Sequence, residues 1–331
     1  MSVVKKCFKL LQLRQHFNWI PEREVMSYLL NWNRKLNMDE YGNLYLINPG
    51  TPLLCAHMDT VQKEDDVAKL HTLRLKDWII KANDAIIGWD DKCWIAIAME
   101  LYEKLWNKVS LLFTRQEEVW MIWAGKFCEK HSDLIKQCTY CLVFDRRNPW
   151  DIIWYNNEYC SKEFENEIHR LTKEFGYKPT TWFASDTKHI AQYINWVNLS
   201  VGYYNPHTKT EYIKCDELMN AYEAALYIIQ HLEWEYPIYK KPEFKWWSAP
   251  LYSRPSYDYS SYDDDKWMSN YKYSKKKSKD KTFSASDLAK YFEVLDWGIL
   301  HVKEDIFLTD IESPMECTEI REWEYAVCWY Q

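Results

Sequence analysis

The chain has 331 residues, of which 47% are hydrophobic, and a net charge of −7, which is enough to bury the core of one large α/β domain or two smaller ones. Nucleic acid is not an expected partner, because phosphate binding needs clustered Lys and Arg and such a cluster occurs in only one tail segment. Charges recur every few residues near the N-terminus, and no apolar run approaches the ~20 residues that span a bilayer. We therefore expect a cytoplasmic protein with no membrane partner.

Helix-like and strand-like segments alternate along the first 240 residues. Helical apolar spacing occurs at 3–17, 21–36, 92–105, 125–131, 161–175, 186–194 and 216–232. Strands are expected at 52–57, 109–114, 140–144 and 198–203, with a hairpin at 38–48. This alternation predicts an α/β domain of three layers with a mixed, largely parallel central sheet over residues 1–240.

The character of the chain changes after this domain. Residues 241–282 are expected to form a polar linker, since 252–282 are rich in Tyr, Ser, Lys and Asp and show no apolar period. In residues 283–331 the sequence again shows patterns typical of ordered structure, with a predicted helix at 286–295 and strands at 299–302 and 306–308. We expect a small C-terminal unit whose role the sequence does not indicate.

The ten cysteines are expected to be reduced thiols, because a long chain without an export signal is typical of a reducing compartment. Cys138 and Cys141 form the only close pair, and they lead into an apolar run that predicts a buried strand. Packing is the favoured interpretation of this pair, with redox or metal chemistry as the alternative.

Glycine is unusually scarce and tryptophan unusually common. The chain has 7 Gly and 19 Trp, whereas average usage predicts roughly 23 Gly at this length, so the Gly shortfall is close to the Trp count. Trp78, Trp89, Trp150 and Trp196 also stand where turns are expected. Trp cannot readily replace Gly where φ is positive. We therefore hypothesise that many of the codons that are read as Trp in the printed sequence are translated as Gly in the source organism. The alternative is a chain that is rich in Trp.

Five short segments with metal-binding side chains fall at the ends of predicted elements, where sites form in α/β sheets. They are His57-Met58-Asp59, Asp90-Asp91-Lys92, Glu117-Glu118, Asp145 and Asn205-Pro206-His207-Thr208. Singly, each has an ordinary interpretation: Asp at a helix start is often an N-cap, adjacent Glu residues are usually solvated, and a lone His is usually a hydrogen-bonded group. The ordered set is more specific than its members.

Together with their flanking residues, these segments resemble the co-catalytic di-zinc peptidases, a superfamily that includes aminopeptidases and peptidase T-like tripeptidases. The resemblance covers roughly residues 20–235, and all five segments occur in the family's order. Its implied cofactor is a pair of divalent ions, zinc by preference with cobalt or manganese as alternatives, and its implied partner is a short peptide substrate. The implied metal ligands are His57, Asp90, Glu118, Asp145 and His207, with Asp90 as the bridge.

The resemblance implies roles for neighbouring residues as well. Glu117 would be the general base and Asp59 would orient His57, while Asp91 is an alternative bridge. Ser185-Asp186 resembles a family segment near the substrate pocket, although a helix N-cap is the simpler interpretation.

Two spacings narrow the expected subtype. His57 and Asp90 are 33 positions apart, too few for the domain that some relatives insert there, and the 62 positions between Asp145 and His207 leave no room for a separate dimerisation lid. The closer analogy is a compact, single-domain aminopeptidase that removes N-terminal residues from short peptides. A deacylase or carboxypeptidase on the same metal frame, and a degenerate peptide-binding relative, are the alternatives.

The chain departs from the family pattern at four positions. Trp89, Trp94, Trp120 and Trp123 stand where the family has Gly. An indole beside Asp90 or after Glu118 would crowd the metal site, and this coincidence with the unusual composition supports translation of these codons as Gly.

The gene offers a direct test of the Trp assignment. We predict that the codons at positions 78, 89, 94 and 150 differ from the ordinary Trp codon UGG, and that mass spectrometry of the protein from its source finds Gly in the peptides that cover them. UGG at these positions would contradict the hypothesis.

Overall fold

The computed structural model describes residues 2–16, 21–67, 72–119, 121–153, 160–180, 187–232 and 236, and three short strands at 292–294, 299–302 and 326–327. The predicted linker, the strand at 306–308, Ser185-Asp186 and Trp120 lie outside the described residues. The predicted domain boundary at residue 240 also lies outside them and stays a prediction.

The strands belong to three sheets. In chain order they are β1 (Asn37–Met38), β2 (Leu44–Leu46), β3 (Leu53–His57), β4 (Arg74–Lys76), β5 (Ile79–Lys81), β6 (Ser110–Thr114), β7 (Tyr140–Arg146), β8 (Asp151–Ile153), β9 (Lys178–Thr180), β10 (Asn195–Ser200), β11 (Tyr203–Tyr204), β12 (Tyr212–Lys214), β13 (Phe292–Val294), β14 (Ile299–Val302) and β15 (Ala326–Val327).

The helices are α1 (Ser2–Leu10), α2 (Arg23–Trp32), α3 (Glu64–Val67), α4 (Lys92–Leu105), α5 (Ile122–Lys130), α6 (Ser132–Ile135), α7 (Lys162–Thr172), α8 (Thr187–Ile190) and α9 (Cys215–His231). Within the described residues, no helix combines the length and the apolar character that a membrane crossing requires.

The largest sheet carries the core of the molecule. Its strand order is β1-β2-β6-β3-β7-β10-β8-β9, and the four central strands β6, β3, β7 and β10 run parallel. Every residue of β3, β6 and β10 is buried, as expected for parallel strands that are covered on both faces. The predicted α/β fold with a mixed, largely parallel sheet is confirmed.

Helix α4 connects two of these parallel strands. It begins at Lys92 directly after Asp91, as predicted, and its first eight residues are all buried. It packs against β3 on one side and against α1 and α9 on the other. A helix that is apolar nearly all round must be enclosed by other elements, so the start of α4 is fixed at the carboxyl edge of the sheet.

A smaller sheet of order β11-β12-β5-β4 was not predicted. Its hairpin β4-β5 turns on Asp77 and Trp78, which have φ angles of 52° and 60°. Two residues of positive φ between paired strands make a type I′ turn, for which Asp-Gly is a strongly preferred sequence. The strand β12 pairs with β5, so this sheet joins the chain that precedes Asp90 to the chain that follows His207.

Three predicted helices were wrong in part. The helix predicted at 3–17 ends at Leu10, and the helix predicted at 186–194 is described only at Thr187–Ile190, after which the chain turns into β10. The helix predicted at 286–295 was wrong at Phe292–Val294, which forms a strand because it pairs with β14. The predicted strand at 299–302 is confirmed.

Three Trp side chains occupy backbone positions that favour Gly. Trp78, Trp106 and Trp150 have φ angles of 60°, 50° and 76°, a region that costs a residue with a Cβ atom roughly 1–2 kcal/mol. All three are also among the exposed large hydrophobic side chains, at 59%, 53% and 46%. Strain without compensating burial is what Trp at natural Gly positions would produce.

The turn of the β4-β5 hairpin provides a test. Trp78→Gly should raise the free energy of unfolding by about 1 kcal/mol, because Gly adopts the positive φ without strain. Trp32 is the control: it lies in α2, donates to Glu103 at 2.7 Å, and packs edge-on against Tyr102. Trp32→Gly should therefore destabilise the protein in urea unfolding, and a similar loss in Trp78→Gly would contradict the explanation.

Candidate metal centre

The predicted site residues meet at the carboxyl edge of the four parallel strands. His57 is the last residue of β3, Asp145 is near the end of β7, and Glu117 with Glu118 begins a short 3₁₀ turn after β6. Asp90 lies two residues before α4, and His207 follows β11 in a turn where its own φ is 58°. The parallel order of the strands brings these distant positions together, as expected for sites in open α/β sheets.

The carboxylate of Asp90 lies between the two imidazoles. Its Oδ1 is 2.9 Å from Nε2 of His57, and its Oδ2 is 3.4 Å from Nε2 of His207. Each oxygen of a single carboxylate thus faces a different histidine. This arrangement is what a group that bridges two cations requires.

Each histidine has a second carboxylate beside it. Asp145 Oδ1 lies 3.9 Å from Nε2 of His57, and Glu118 Oε1 lies 2.9 Å from Nε2 of His207. Two donor groups result, His57-Asp90-Asp145 and Asp90-Glu118-His207, in each of which the donor atoms lie within 4.8 Å of one another. Imidazole with carboxylate oxygen is a donor set that suits zinc, cobalt or manganese.

The electrostatics of the cluster also fit bound cations. Burial, reinforced by Asp90, raises the pKa of Asp145 to about 8, and burial raises the pKa of Glu118. Burial alone would raise the pKa of Asp90 and lower the pKa of the histidines. Contacts with the two histidines reverse the effect on Asp90 and lower its pKa. Contacts with neighbouring carboxylates, chiefly Asp145 for His57 and Glu118 for His207, raise the pKa of each histidine. Clustered buried carboxylates need positive charge close by, whether from protonated imidazole or from metal.

Asp59 supports three of these side chains from behind. Its Oδ1 accepts the backbone N–H of Glu117 at 2.9 Å and its Oδ2 accepts that of Glu118 at 3.1 Å. Its carbonyl oxygen lies 3.0 Å from Nδ1 of His57, and its carboxylate lies 3.4 Å from the same atom. The expected position beside His57 is therefore observed, and Asp59 also fixes the two glutamates.

The alternative bridge, Asp91, turns away from the donor groups. Its Oδ2 accepts the backbone N–H of His57 at 3.3 Å, and burial raises its pKa well above the usual value. The peptide bond between Asp90 and Asp91 is cis. Among the described residues, the carboxylate that faces both histidines is that of Asp90, so the geometry favours Asp90 over Asp91, and the choice of bridge stays a prediction.

Glu117 lies within reach of the cluster. Its carboxylate belongs to a third group of possible donor atoms with His57 and Glu118, again within 4.8 Å. A carboxylate at this position could take a proton from a water molecule beside the ions, which is the role that the resemblance implies.

Sequence reasoning missed a buried ion pair beneath Glu117. The Nε atom of Arg115 donates to Oε2 of Glu22 at 3.2 Å, and Oε1 of Glu22 accepts the backbone N–H of Gln116 at 3.2 Å. Burial raises the pKa of Glu22, against the opposing effect of Arg115. The only sequence signal was a charged residue directly after a buried strand.

The Trp positions of the family pattern differ in how well they hold an indole. Trp94 fits: its Nε1 donates to the carbonyl of Cys55 at 2.7 Å, and its ring stacks on Phe144 at 4.5 Å. Trp123 stacks on Tyr41 at 5.2 Å.

Trp89 does not fit. It is fully buried, and its ring centroid is 3.0 Å from that of Tyr203, whereas aromatic pairs prefer about 4.5–7 Å. Its Nε1 has no hydrogen-bond partner within the described residues. Trp89 is thus crowded against Tyr203, whereas the indoles at positions 94 and 123 are accommodated.

The two thiols of the close cysteine pair, Cys138 and Cys141, are buried and not in a disulfide. Burial raises the pKa of Cys138 to about 12. Neither thiol belongs to a donor group for a metal among the described residues, which agrees with a packing role.

The chain matches no protein-family model and no curated protein, but its fold occurs in many solved structures. The aminopeptidase PepT from Bacillus cereus matches with a TM-score of 0.56 at 16% identity, over 69% of this chain and 97% of that one. A tripeptidase from Staphylococcus aureus matches with 0.53 at 14%, over 69% and 97%. A TET aminopeptidase from a marine thaumarchaeote matches with 0.52 at 10%, over 70% and 98%.

These likenesses concern the fold, since the identities are between 10% and 16%. They span 97–98% of each of these three relatives, so the shared fold covers nearly the whole of each relative. The chain therefore has the fold of the aminopeptidase and tripeptidase structures, which at the level of the fold confirms its resemblance to the co-catalytic zinc peptidases.

Proposed function

We propose that the chain is a metal-dependent aminopeptidase that removes N-terminal residues from short peptides and uses two divalent ions. The observation that carries this proposal is the carboxylate of Asp90 between His57 and His207, each of which has a further carboxylate beside it. The donor set favours zinc, with cobalt and manganese as alternatives.

The ligands divide into two sets that share one member. His57 and Asp145 would hold one ion, His207 and Glu118 the other, and Asp90 both. Two ions bound in this way would polarise the peptide carbonyl and lower the pKa of water towards about 7.

Proton transfer falls to Glu117. Its carboxylate would take the proton from the attacking water and pass it to the amine that leaves, so that one side chain acts first as base and then as acid. The hydrogen bonds from the backbone N–H groups of Glu117 and Glu118 to Asp59 support this division of labour, because they fix the two residues relative to each other.

The first experiment measures metal content and peptide hydrolysis together. It compares the printed chain with a chain that has Gly at positions 89, 94, 120 and 123. We expect about two ions per chain in the Gly form, and chelator-sensitive cleavage of dipeptides and tripeptides with a free amine. N-acetylated peptides should not be cleaved.

Two other outcomes of this experiment would change the functional assignment. Cleavage of acylated substrates alone would contradict the aminopeptidase assignment and favour a deacylase on the same frame. Absence of both metal and cleavage in the two chains would contradict the enzyme and leave a degenerate peptide-binding protein.

The role of Glu117 can be separated from that of a ligand. Glu117→Ala should keep its metal content and lose about 100-fold or more in turnover, because it removes the group that moves the proton. His207→Ala should lose metal as well as activity. Glu129→Ala, which removes an exposed partner of Lys126 on α5, is the control for loss of a Glu side chain and should change neither metal content nor turnover. Full turnover in Glu117→Ala would refute the assigned role.

A further inference from the structure

Glu211 is a buried carboxylic acid close to the candidate metal centre that the proposed chemistry does not use. It lies four residues after His207 and directly before β12, and only 2% of it is exposed. Burial raises its pKa to about 8, against the opposing effect of backbone hydrogen bonds from Gly88 and Ile87. Burying an acid is costly, so its position needs an explanation.

The partner of Glu211 is the peptide that leads into Asp90. Its Oε1 accepts the backbone N–H of Gly88 at 2.8 Å, and Gly88 is two residues before Asp90. The carboxyl group of Glu211 therefore connects the loop of one ligand to the loop of another.

The peptide at Gly88 has little freedom to move. Its φ is 62°, and a Cβ atom at this position would lie 2.8 Å from Oγ1 of Thr60 and 3.0 Å from Nε2 of Gln62. The same Gln62 side chain donates to the carbonyl of Ile86 at 3.1 Å. One side of the segment is thus held by Gln62 and the other by Glu211.

The smaller sheet adds a second connection between the same two loops. Tyr212, next to Glu211, pairs with Lys81 in β5, upstream of Gly88. The loop that carries His207 turns back on itself, since the N–H of Glu211 donates to the carbonyl of Thr208 at 3.2 Å. A change in the distance between the loops would have to break the hydrogen bond from Gly88 to Glu211.

We propose that Glu211 is a positioning residue that keeps Asp90 and His207 at the separation needed to hold one ion between them. This inference rests on the proposed function, because it assigns Glu211 to the support of the same metal centre. A purely structural carboxyl group would contribute to stability alone, whereas a positioning residue must also set metal affinity.

The experiment compares Glu211→Ala, Glu211→Asp and Glu211→Gln with the unmodified chain. Glu165 in α7 supplies the matched control. It is also a buried acid, at 7% exposure, but it belongs to none of the groups of possible metal donors among the described residues. Affinity for Zn²⁺ is measured by competition with a chromophoric chelator, the ligand field by the visible spectrum of bound Co²⁺, and stability by thermal unfolding of the metal-free proteins.

We expect Glu211→Ala to bind Zn²⁺ about 10–100-fold more weakly, which is typical of residues that orient metal ligands, and to change the Co²⁺ spectrum. Glu211→Gln should restore affinity, because its amide oxygen can still accept the N–H of Gly88. Glu165→Ala should leave the affinity for Zn²⁺ and the Co²⁺ spectrum unchanged. If Glu211→Ala does not fold, the contrast between Glu211→Gln and the shorter Glu211→Asp, which should bind Zn²⁺ more weakly, decides the question.

Two results would overturn the inference. One is Zn²⁺ affinity in the folded Glu211 variants equal to that of Glu165→Ala, and the other is failure of Glu211→Gln to restore affinity. If the chain binds no metal with either Trp or Gly at positions 89, 94, 120 and 123, the proposed function fails and the positioning role fails with it. If it binds metal and the variants bind equally well, the positioning role alone is wrong.

Discussion

The structure is organised around the negative charge of Asp90, which is held in a buried place where an isolated carboxylate would be unfavourable. Two imidazoles face its two oxygens, and the carboxyl groups of Asp145 and Glu118 lie beside these imidazoles. Such a cluster is stable only with compensating positive charge. In the central sheet, β3, β7 and β6 end next to one another. Residues from widely separated parts of the chain, including the two histidines, can therefore surround Asp90.

The residues behind the cluster connect it to the rest of the fold. Asp59 accepts the backbone N–H groups of Glu117 and Glu118. Glu22 accepts the backbone N–H of Gln116, the residue just before them. Neither carboxylate belongs to a group of possible metal donors among the described residues, yet both hold the turn that carries Glu117 and Glu118. Residues that orient ligands commonly matter almost as much as the ligands themselves.

Much of this arrangement was accessible from the sequence, and the failures have physical causes. The buried strands and α4 were predicted because long apolar patterns dominate their local signal. The β4-β5 hairpin was missed because its strands are short and largely exposed and because Trp78 stands where the turn favours Gly, which removes the signal of an Asp-Gly pair. Glu22 and Glu211 were missed because nothing in a sequence separates a buried acid with backbone partners from a solvated one.

The hydrogen bond between Glu22 and Gln116 makes the N-terminal region part of the candidate centre. Glu22 lies at the start of α2, whereas the turn that it supports follows β6, more than ninety positions further along the chain. Arg115 would lose its ion pair with Glu22 if the chain began after residue 22, and breaking a buried ion pair by removing one partner commonly costs about 3–5 kcal/mol. The segment that carries Glu22 therefore supports the candidate centre, and a shortened protein that kept every candidate ligand would still lack the carboxylate that holds the N–H of Gln116.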